Sequence, residues 1–260
     1  MNLIFYKYQG TGNDFIIIDN RSKTFPKKNK DIISSLCNRY FGIGSDGLIL
    51  LENDTESDFK MIYYNADGNE STMCGNGGRC IVAFANHLKI IQKETKFNAV
   101  DGIHFASIED DVVSLKMIDV DTINIQDSYA FTNTGSPHHI GLVNDLDSFD
   151  VFNKGKHIRN NLYGKDGSNV NFVEPIDEST FKVRTYERGV ENETLACGTG
   201  VTAVAIAMHA AKKTNSTSIK LPVKGGQLAV SFEKNNGIYT NIFLTGPAKY
   251  VFKGELNIDL

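Results

Sequence analysis

The chain has no basic stripe, no Cys-x-x-Cys pair, no apolar run long enough to span a bilayer and no low-complexity linker. Each absence removes a class of function. Lysine and arginine number 27 against 31 aspartates and glutamates, a formal net charge of −4, so no nucleic-acid partner is expected. The longest apolar run, VTAVAIAMHAA at 201–211, is about half of the ~20 residues that a membrane helix needs, so no membrane partner is expected. The first residues, MNLIFYKYQGTGNDF, do not lead from a basic start into an apolar core and a small-residue cleavage site, so no secretory leader is expected. A soluble, cytoplasmic protein is the expectation. The four cysteines are Cys37, Cys74, Cys80 and Cys197 in 260 residues. Without an export signal, reduced thiols are their default state. The spacing of Cys74 and Cys80 is no zinc-ligand spacing, and the adjacent pair His138-His139 lacks a third partner, so no metal is expected. Neither CGNG at 74–77 nor CGTG at 197–200 is followed by the Lys-Ser/Thr of a phosphate loop, which argues against nucleotide binding.

What the chain does contain is itself, twice. Slid by 123 residues, CGNG lies on CGTG, Gly12 meets Gly135, Asn13 meets Ser136, and GSDGLIL at 44–50 lies on GSNVNFV at 167–173. Tyr64-Asn65 meets Tyr186-Glu187 at an offset of 122, so one extra residue sits between Glu187 and Cys197. The period is too long for a solenoid and predicts two homologous domains, 1–122 and 123–260. Short β-rich runs bounded by Gly, Asn and Asp predict strands in both. In the first they are NDFIIID, GLILLEN, FKMIYYN, GIHFASI and VVSLKMI; in the second HHIGLV, NVNFVE, FKVRTYE, STSIKL, GQLAVSF and IYTNIFL. FKVRTYE alternates poorly. DIISSLCNRYF carries apolar residues at 32, 33, 36, 37, 40 and 41, a helical period. Further helices are expected after Cys74, near 148–160 and over 199–213. The last of these is apolar on nearly every face, which predicts a helix buried on all sides. The fold class is therefore α+β.

Cys74 and Cys197 each precede a small-residue turn that opens a buried helix. First-turn N–H groups have no acceptor within the helix, and the helix dipole favours negative charge beside them. A thiol there has its pKa lowered and becomes a usable base or nucleophile, and the same N–H groups can hold a carboxylate. Two such helix ends facing one cleft would place two thiols on opposite sides of one carbon. One could remove a proton as thiolate while the other returns one as thiol, inverting the stereocentre. The N–H donors would stabilise the charge that develops on an adjoining carboxylate.

GTGNDFIIID, YNADGNESTMCGNGGRC and YERGVENETLACGTG closely resemble the signatures of the diaminopimelate epimerases, and the likeness runs from Gly10 to about Gly246. It implies two pseudo-symmetric domains, each a strand barrel around a central helix. It implies interconversion of LL- and meso-diaminopimelate without pyridoxal phosphate or metal, for lysine and, in many bacteria, peptidoglycan. It implies Cys74 and Cys197 as the acid–base pair. Gly75, Asn76, Gly198 and Thr199 would hold the reacting carboxylate through their N–H groups. Asn13, Asn65, Asn169, Glu187 and Arg188 would bind the substrate, mainly at its distal end, where the Arg188 fork suits a carboxylate. His138 and Glu187 would adjust the protonation of the cysteines. The chain departs from the family at Ser136-Pro137-His138, where Asn-Pro-His is common. It departs again in the longer ERGVENETLAC segment, which leaves the placement of Glu191 to Glu193 open.

The plainer readings stand beside these. Cys37 and Cys80 are read as core residues, and His87, His104, His157 and His209 receive no role. Asn13 and Asn65 also suit turns, and Glu187-Arg188 also suits a solvated strand end. A related racemase acting on histidine, proline or hydroxyproline is an alternative, as is a binding protein that keeps the fold. Whether the chain forms a homodimer is left open. If one carbon sits between the two sulfurs, they come near disulfide range. Oxidation is then expected to inactivate the protein reversibly through a Cys74–Cys197 bond. Mass spectrometry that finds both thiols still reduced in oxidised, inactive protein would refute this.

Overall fold

The computed structural model describes residues 1–258. The chain divides into two compact units: Met1–Leu115 together with the segment that begins at Pro247, and Lys116–Gly246. The halves 1–122 and 123–260 expected from the repeat differ from these units at the C-terminal end. The reason is a strand: Lys249–Asn257 pairs antiparallel with Asn2–Gly10, from Asn2↔Asn257 to Gln9↔Lys249.

The first unit contains β1 (Asn2–Gly10), β2 (Asn13–Asp19), α1 (Lys30–Cys37), β3 (Gly47–Glu52), β4 (Phe59–Asn65), β5 (Glu70–Ser71), α2 (Gly75–His87), β6 (Glu94–Ala99), β7 (Gly102–Glu109) and β8 (Val112–Lys116). The second contains β9 (Ile123–Ile125), β10 (Ala130–Asn133), β11 (Pro137–Leu142), α3 (Val151–Asn161), β12 (Asn169–Pro175), β13 (Phe181–Glu187), β14 (Asn192–Thr194), α4 (Gly198–Ala210), β15 (Ser218–Val223), β16 (Gly226–Asn235) and β17 (Ile238–Pro247). The returning strand is β18 (Lys249–Asn257).

The topology repeats as the sequence does. In the first unit β2 and β3 run parallel, as do β4 and β6. In the second β11 and β12 run parallel, and a parallel bridge from Thr180 to Lys220 joins the β13 and β15 segments. Antiparallel hairpins include β1–β2, β3–β4, β12–β13 and β15–β16. In each unit the strands surround a central helix: α2 packs on β1, β2, β3, β7 and β18, and α4 on β9 to β13, β15 and β16. The run from Gly200 to Met208 is buried throughout, as a helix with apolar residues on every face requires. Cys80 is buried in α2 and Cys37 in α1, so both are core residues.

A second layer lies outside each sheet. Ile33 and Leu36 of α1 join Ile16, Ile18, Leu48 and Leu50 in one apolar cluster. Val151 of α3 joins Val170, Phe172 and Tyr186 in another. Asn29 caps α1 through Ile32 N–H (3.2 Å) and Asp150 caps α3 through Asn153 N–H (3.1 Å).

One expectation needs correction. The period that suggested helix through Tyr40 and Phe41 fails there: α1 ends at Cys37 and both rings are 90% exposed. The Asn38 side chain accepts from the N–H groups of Tyr40 and Phe41 (2.9 and 3.0 Å), an alternative to continuing the helix. In FKVRTYE, Phe181, Val183 and Thr185 are buried, but so is Tyr186, and the alternation breaks there; Thr185 finds a buried acceptor in Asn171.

At Gly155 the backbone of α3 comes so close to β13 that an added Cβ would lie 2.3 Å from Tyr186 Cβ. Alanine in a helix interior ordinarily stabilises by about 0.5–1 kcal/mol over glycine. Here the clash reverses the sign, and Gly155→Ala is expected to destabilise by about 1–3 kcal/mol. The urea midpoint checks this: an equal or higher midpoint would mean that α3 shifts at no cost.

Candidate active site

Cys74 is the N-cap of α2 and Cys197 the N-cap of α4, both with extended backbone, at φ −95 and −124. Gly78 N–H closes the first α2 turn onto Cys74 C=O at 2.7 Å, and Val201 N–H does the same onto Cys197 C=O at 3.0 Å. Each thiol thus sits at the electropositive end of a buried helix whose N–H groups point the same way. Gly75 and Asn76, and Gly198 and Thr199, form the first turns.

Around Cys74 the polar groups accept. Asn13, at the start of β2, places its side-chain oxygen 3.8 Å from Cys74 Sγ. The same oxygen takes a hydrogen bond from Asn76 Nδ2 (3.2 Å), and Asn76 Oδ1 in turn accepts from Arg79 (3.0 Å). A guanidinium only donates. That turns the Asn76 oxygen toward Arg79, its NH₂ toward Asn13, and the Asn13 oxygen toward the sulfur. Asn13 Nδ2 is consequently a donor, and it meets the Asp46 carboxylate. Asp46 shares Arg39 with Asp14, at 2.6 and 2.7 Å. Burial alone would raise the Asp14 carboxyl; hydrogen bonds from Arg39 and Lys7 hold it below the usual range. Next to an acceptor oxygen, the Cys74 sulfur is suited to the S–H form.

Around Cys197 the order of donors is reversed. Asn171, in the middle of β12, accepts from the Thr185 hydroxyl (2.9 Å) and donates to His139 C=O (3.0 Å), so its orientation is fixed. The same NH₂ reaches His138 Nδ1 at 3.2 Å, making that nitrogen the acceptor. His138 is 0% exposed, and burial, helped by the Arg188 charge, pushes its pKa down to about 3. The neutral ring therefore carries its proton on Nε2 and gives it to Thr199 Oγ1 at 2.9 Å. That leaves the Thr199 hydroxyl proton for Cys197 Sγ, 3.5 Å away. A sulfur that accepts is suited to the thiolate form. Gly200 makes the arrangement possible: a Cβ there would meet Asn171 Oδ1 at 2.5 Å.

The other expected site residues lie at strand ends and turns of their own units. Asn65 ends β4, exposed, at the 65–69 turn. Asn169 starts β12; its NH₂ donates to Ser136 Oγ (2.9 Å) and its oxygen accepts from Arg188 N–H (2.9 Å). The serine that replaces the family's common asparagine thus orients Asn169. Glu187 ends β13 and accepts from the Thr194 hydroxyl at 2.9 Å, while Arg188 donates to Asp166 C=O. In the loop after β13, Gly189 and Glu191 take left-handed backbone (φ 91 and 56). Glu191 pairs with Arg159, and Glu193 with Arg184 and Lys224, which ties both acids into their own ion pairs. Arg79, Asn171 and Thr185 are buried polar residues bonded to these centres that the repeat and motifs did not single out.

Among the described residues, no group of three His, Cys, Asp or Glu side chains could hold a metal ion, and no helix is long and apolar enough to cross a membrane.

A family model described as diaminopimelate epimerase matches residues 5–123 and 130–251. The chain belongs to the diaminopimelate epimerase family. The diaminopimelate epimerase of Flavobacterium psychrophilum is 61% identical over 250 residues, covering 95% of this chain and 98% of that protein. That of Chlorobaculum tepidum is 42% identical over 262 residues, covering 96% and 99%. A crystal structure of a PhzF-family phenazine biosynthesis protein from Bacillus anthracis shares the fold at a TM-score of 0.78 with 13% identity, over 99% of this chain and all of that one.

His138 and His139 generate a pH dependence of stability in this epimerase-family chain. Burial lowers them to about 3 and about 4 from an ordinary value near 6.5. Their folded pKa values lie below the unfolded ones, so the unfolded chain takes up protons first as the pH falls. Their contribution is complete above about pH 6.5 and is lost progressively toward pH 4. Each is expected to cost about 2 kcal/mol by pH 5. Urea midpoints at pH 7 and pH 5 test this, and equal midpoints would contradict it.

Proposed function

We infer that the chain is an isomerase that interconverts LL- and meso-diaminopimelate in the cytoplasm, with its own two thiols as the proton-transfer groups. The observation that carries this is the pair of cysteines at the N-caps of two buried helices in a member of this family. A C–H bond beside a carboxylate is acidic enough to break only if the developing negative charge is stabilised. In this reading the first-turn N–H groups of Gly75, Asn76, Gly198 and Thr199 supply that stabilisation.

The hydrogen-bond polarity supports an order of events. Cys197, beside the Thr199 donor, takes the α-proton as thiolate; the C–H bond breaks and an S–H bond forms. Cys74, beside the Asn13 acceptor, returns a proton to the other face; its S–H bond breaks and a new C–H bond forms. The reverse reaction exchanges the roles. His138 acts through Thr199 and touches no reacting atom. Asn65, Asn169, Glu187 and Arg188 bind the distal amino-acid end, and Asn13 bridges that end and Cys74. Arg188 meets the distal carboxylate, which favours this substrate over proline or histidine.

Incubation with LL-diaminopimelate in deuterated water is expected to place deuterium at the α-carbon. Cys74→Ser and Cys197→Ser are each expected to lower kcat by about 10²–10⁴-fold, the range for losing a positioned acid or base. Absence of exchange in the unmodified protein would remove the proposed reaction.

A further inference from the structure

Arg79 is the most deeply buried cation among the described residues, 0% exposed in the middle of α2. The other arginines with strong contacts are answered by acids at the surface: Arg39 by Asp14 and Asp46, Arg184 by Glu193, Arg21 by Asp19. Arg79 has no such partner; no carboxylate among the described residues lies within ion-pair distance. Its donors go to neutral oxygens: Gly75 C=O at 3.2 Å, Thr11 Oγ1 at 3.1 Å, Asn76 Oδ1 at 3.0 Å and, more weakly, Pro247 C=O at 3.5 Å. Hydrogen bonds of this kind organise the helix start, but a buried charge is costly unless an opposite charge answers it.

The groups that can answer it are thiols. Burial pushes the Arg79 guanidinium down, and the two sulfurs whose charge acts on it, Cys80 and Cys74, push it back up. Cys80 is 0% exposed, and burial raises its thiol to about 12, so it stays protonated. Cys74 remains. It sits one helical turn before Arg79, joined to it through Gly75 C=O on one side and through Asn76 and Asn13 on the other. In the arrangement seen here its sulfur faces an acceptor and suits the S–H form, yet it becomes a thiolate whenever it gives up its proton. At that moment Asn13 Oδ1 no longer favours it, whereas the buried charge of Arg79 does.

We propose that Arg79 is a positioning residue for proton transfer at Cys74, its buried charge stabilising the thiolate that Cys74 becomes while its donors hold Gly75, Asn76 and Thr11 around that helix start. The proposal rests on the reading of Cys74 as an acid–base residue.

The test is the titration of Cys74 in the full chain, read from the pH dependence of alkylation by iodoacetamide and resolved by peptide mass spectrometry, with Cys197 as internal reference. Arg79→Met removes the charge and Arg79→Lys keeps it. In the methionine variant the Cys74 pKa is expected to rise by about one unit or more, which is about tenfold slower alkylation at a fixed pH below it. The lysine variant is expected to stay near the unmodified protein, and the Cys197 profile to stay put in both. The matching limb of the kcat profile should move with Cys74, with KM changed less than kcat. An unmoved Cys74 profile in the folded methionine variant would overturn the proposal. If that variant does not fold, Arg79→Gln is the second neutral replacement. If neither folds, the unmodified protein decides: the proposal requires a Cys74 pKa below the ordinary thiol value of about 8.5, and a value at or above it overturns the idea. These titrations need no substrate. Failure of α-proton exchange would therefore remove the reaction and leave the Arg79 result readable by itself.

Discussion

A helix with apolar residues on every side can exist in water only if something surrounds it. In this chain that constraint governs both units. The run from Gly200 to Met208 leaves no polar face for solvent, so the strands of the second unit close around it. The same holds for α2, whose one charged buried residue is Arg79. Once the helix is enclosed, its first-turn N–H groups still lack intrahelical acceptors, and a cysteine stands there in each unit. The reactive ends are a by-product of the way each core is filled.

The two units solve the same packing problem and then part ways in their polar detail. The second unit carries a chain of donors from Asn171 through His138 to Thr199, all of them fixed by burial and by one carbonyl. The first unit has two carboxamides oriented by a guanidinium, and presents an oxygen instead of a hydroxyl proton. Duplicated backbone with non-duplicated side chains allows one thiol to suit the anion and the other the acid.

Two strands rich in β-branched or aromatic residues were legible in the sequence to the residue: NDFIIID and FKMIYYN match β2 and β4. FKVRTYE coincides with β13 even though its alternation breaks at Tyr186. β1 and β18 were not legible. In β18 nearly every residue is exposed, so the strand has no buried face to leave a period-two pattern, and only its pairing with β1 defines it. The short β9, inside the polar DVDTINIQDS junction, is likewise held by its neighbour β10. At the site, the repeat pointed to both cysteines and their glycine turns, because small residues at a helix start recur visibly. Asn171 and Thr185 were hidden for the opposite reason: each is one of several polar residues in its strand, and only the pairing of β12 with β13 brings the two together on the buried side.

The pairing of β1 with β18 also sets an order of assembly. The second unit is one continuous stretch, Lys116–Gly246, and everything it packs is made before Pro247 leaves the ribosome. The first unit draws on both Met1–Leu115 and the segment from Pro247: until Lys249–Asn257 arrives, one edge of β1 keeps its backbone groups unpaired. Arg79 is therefore translated before the whole of Lys116–Gly246, yet the unit around it has all its strands only after that stretch has been made.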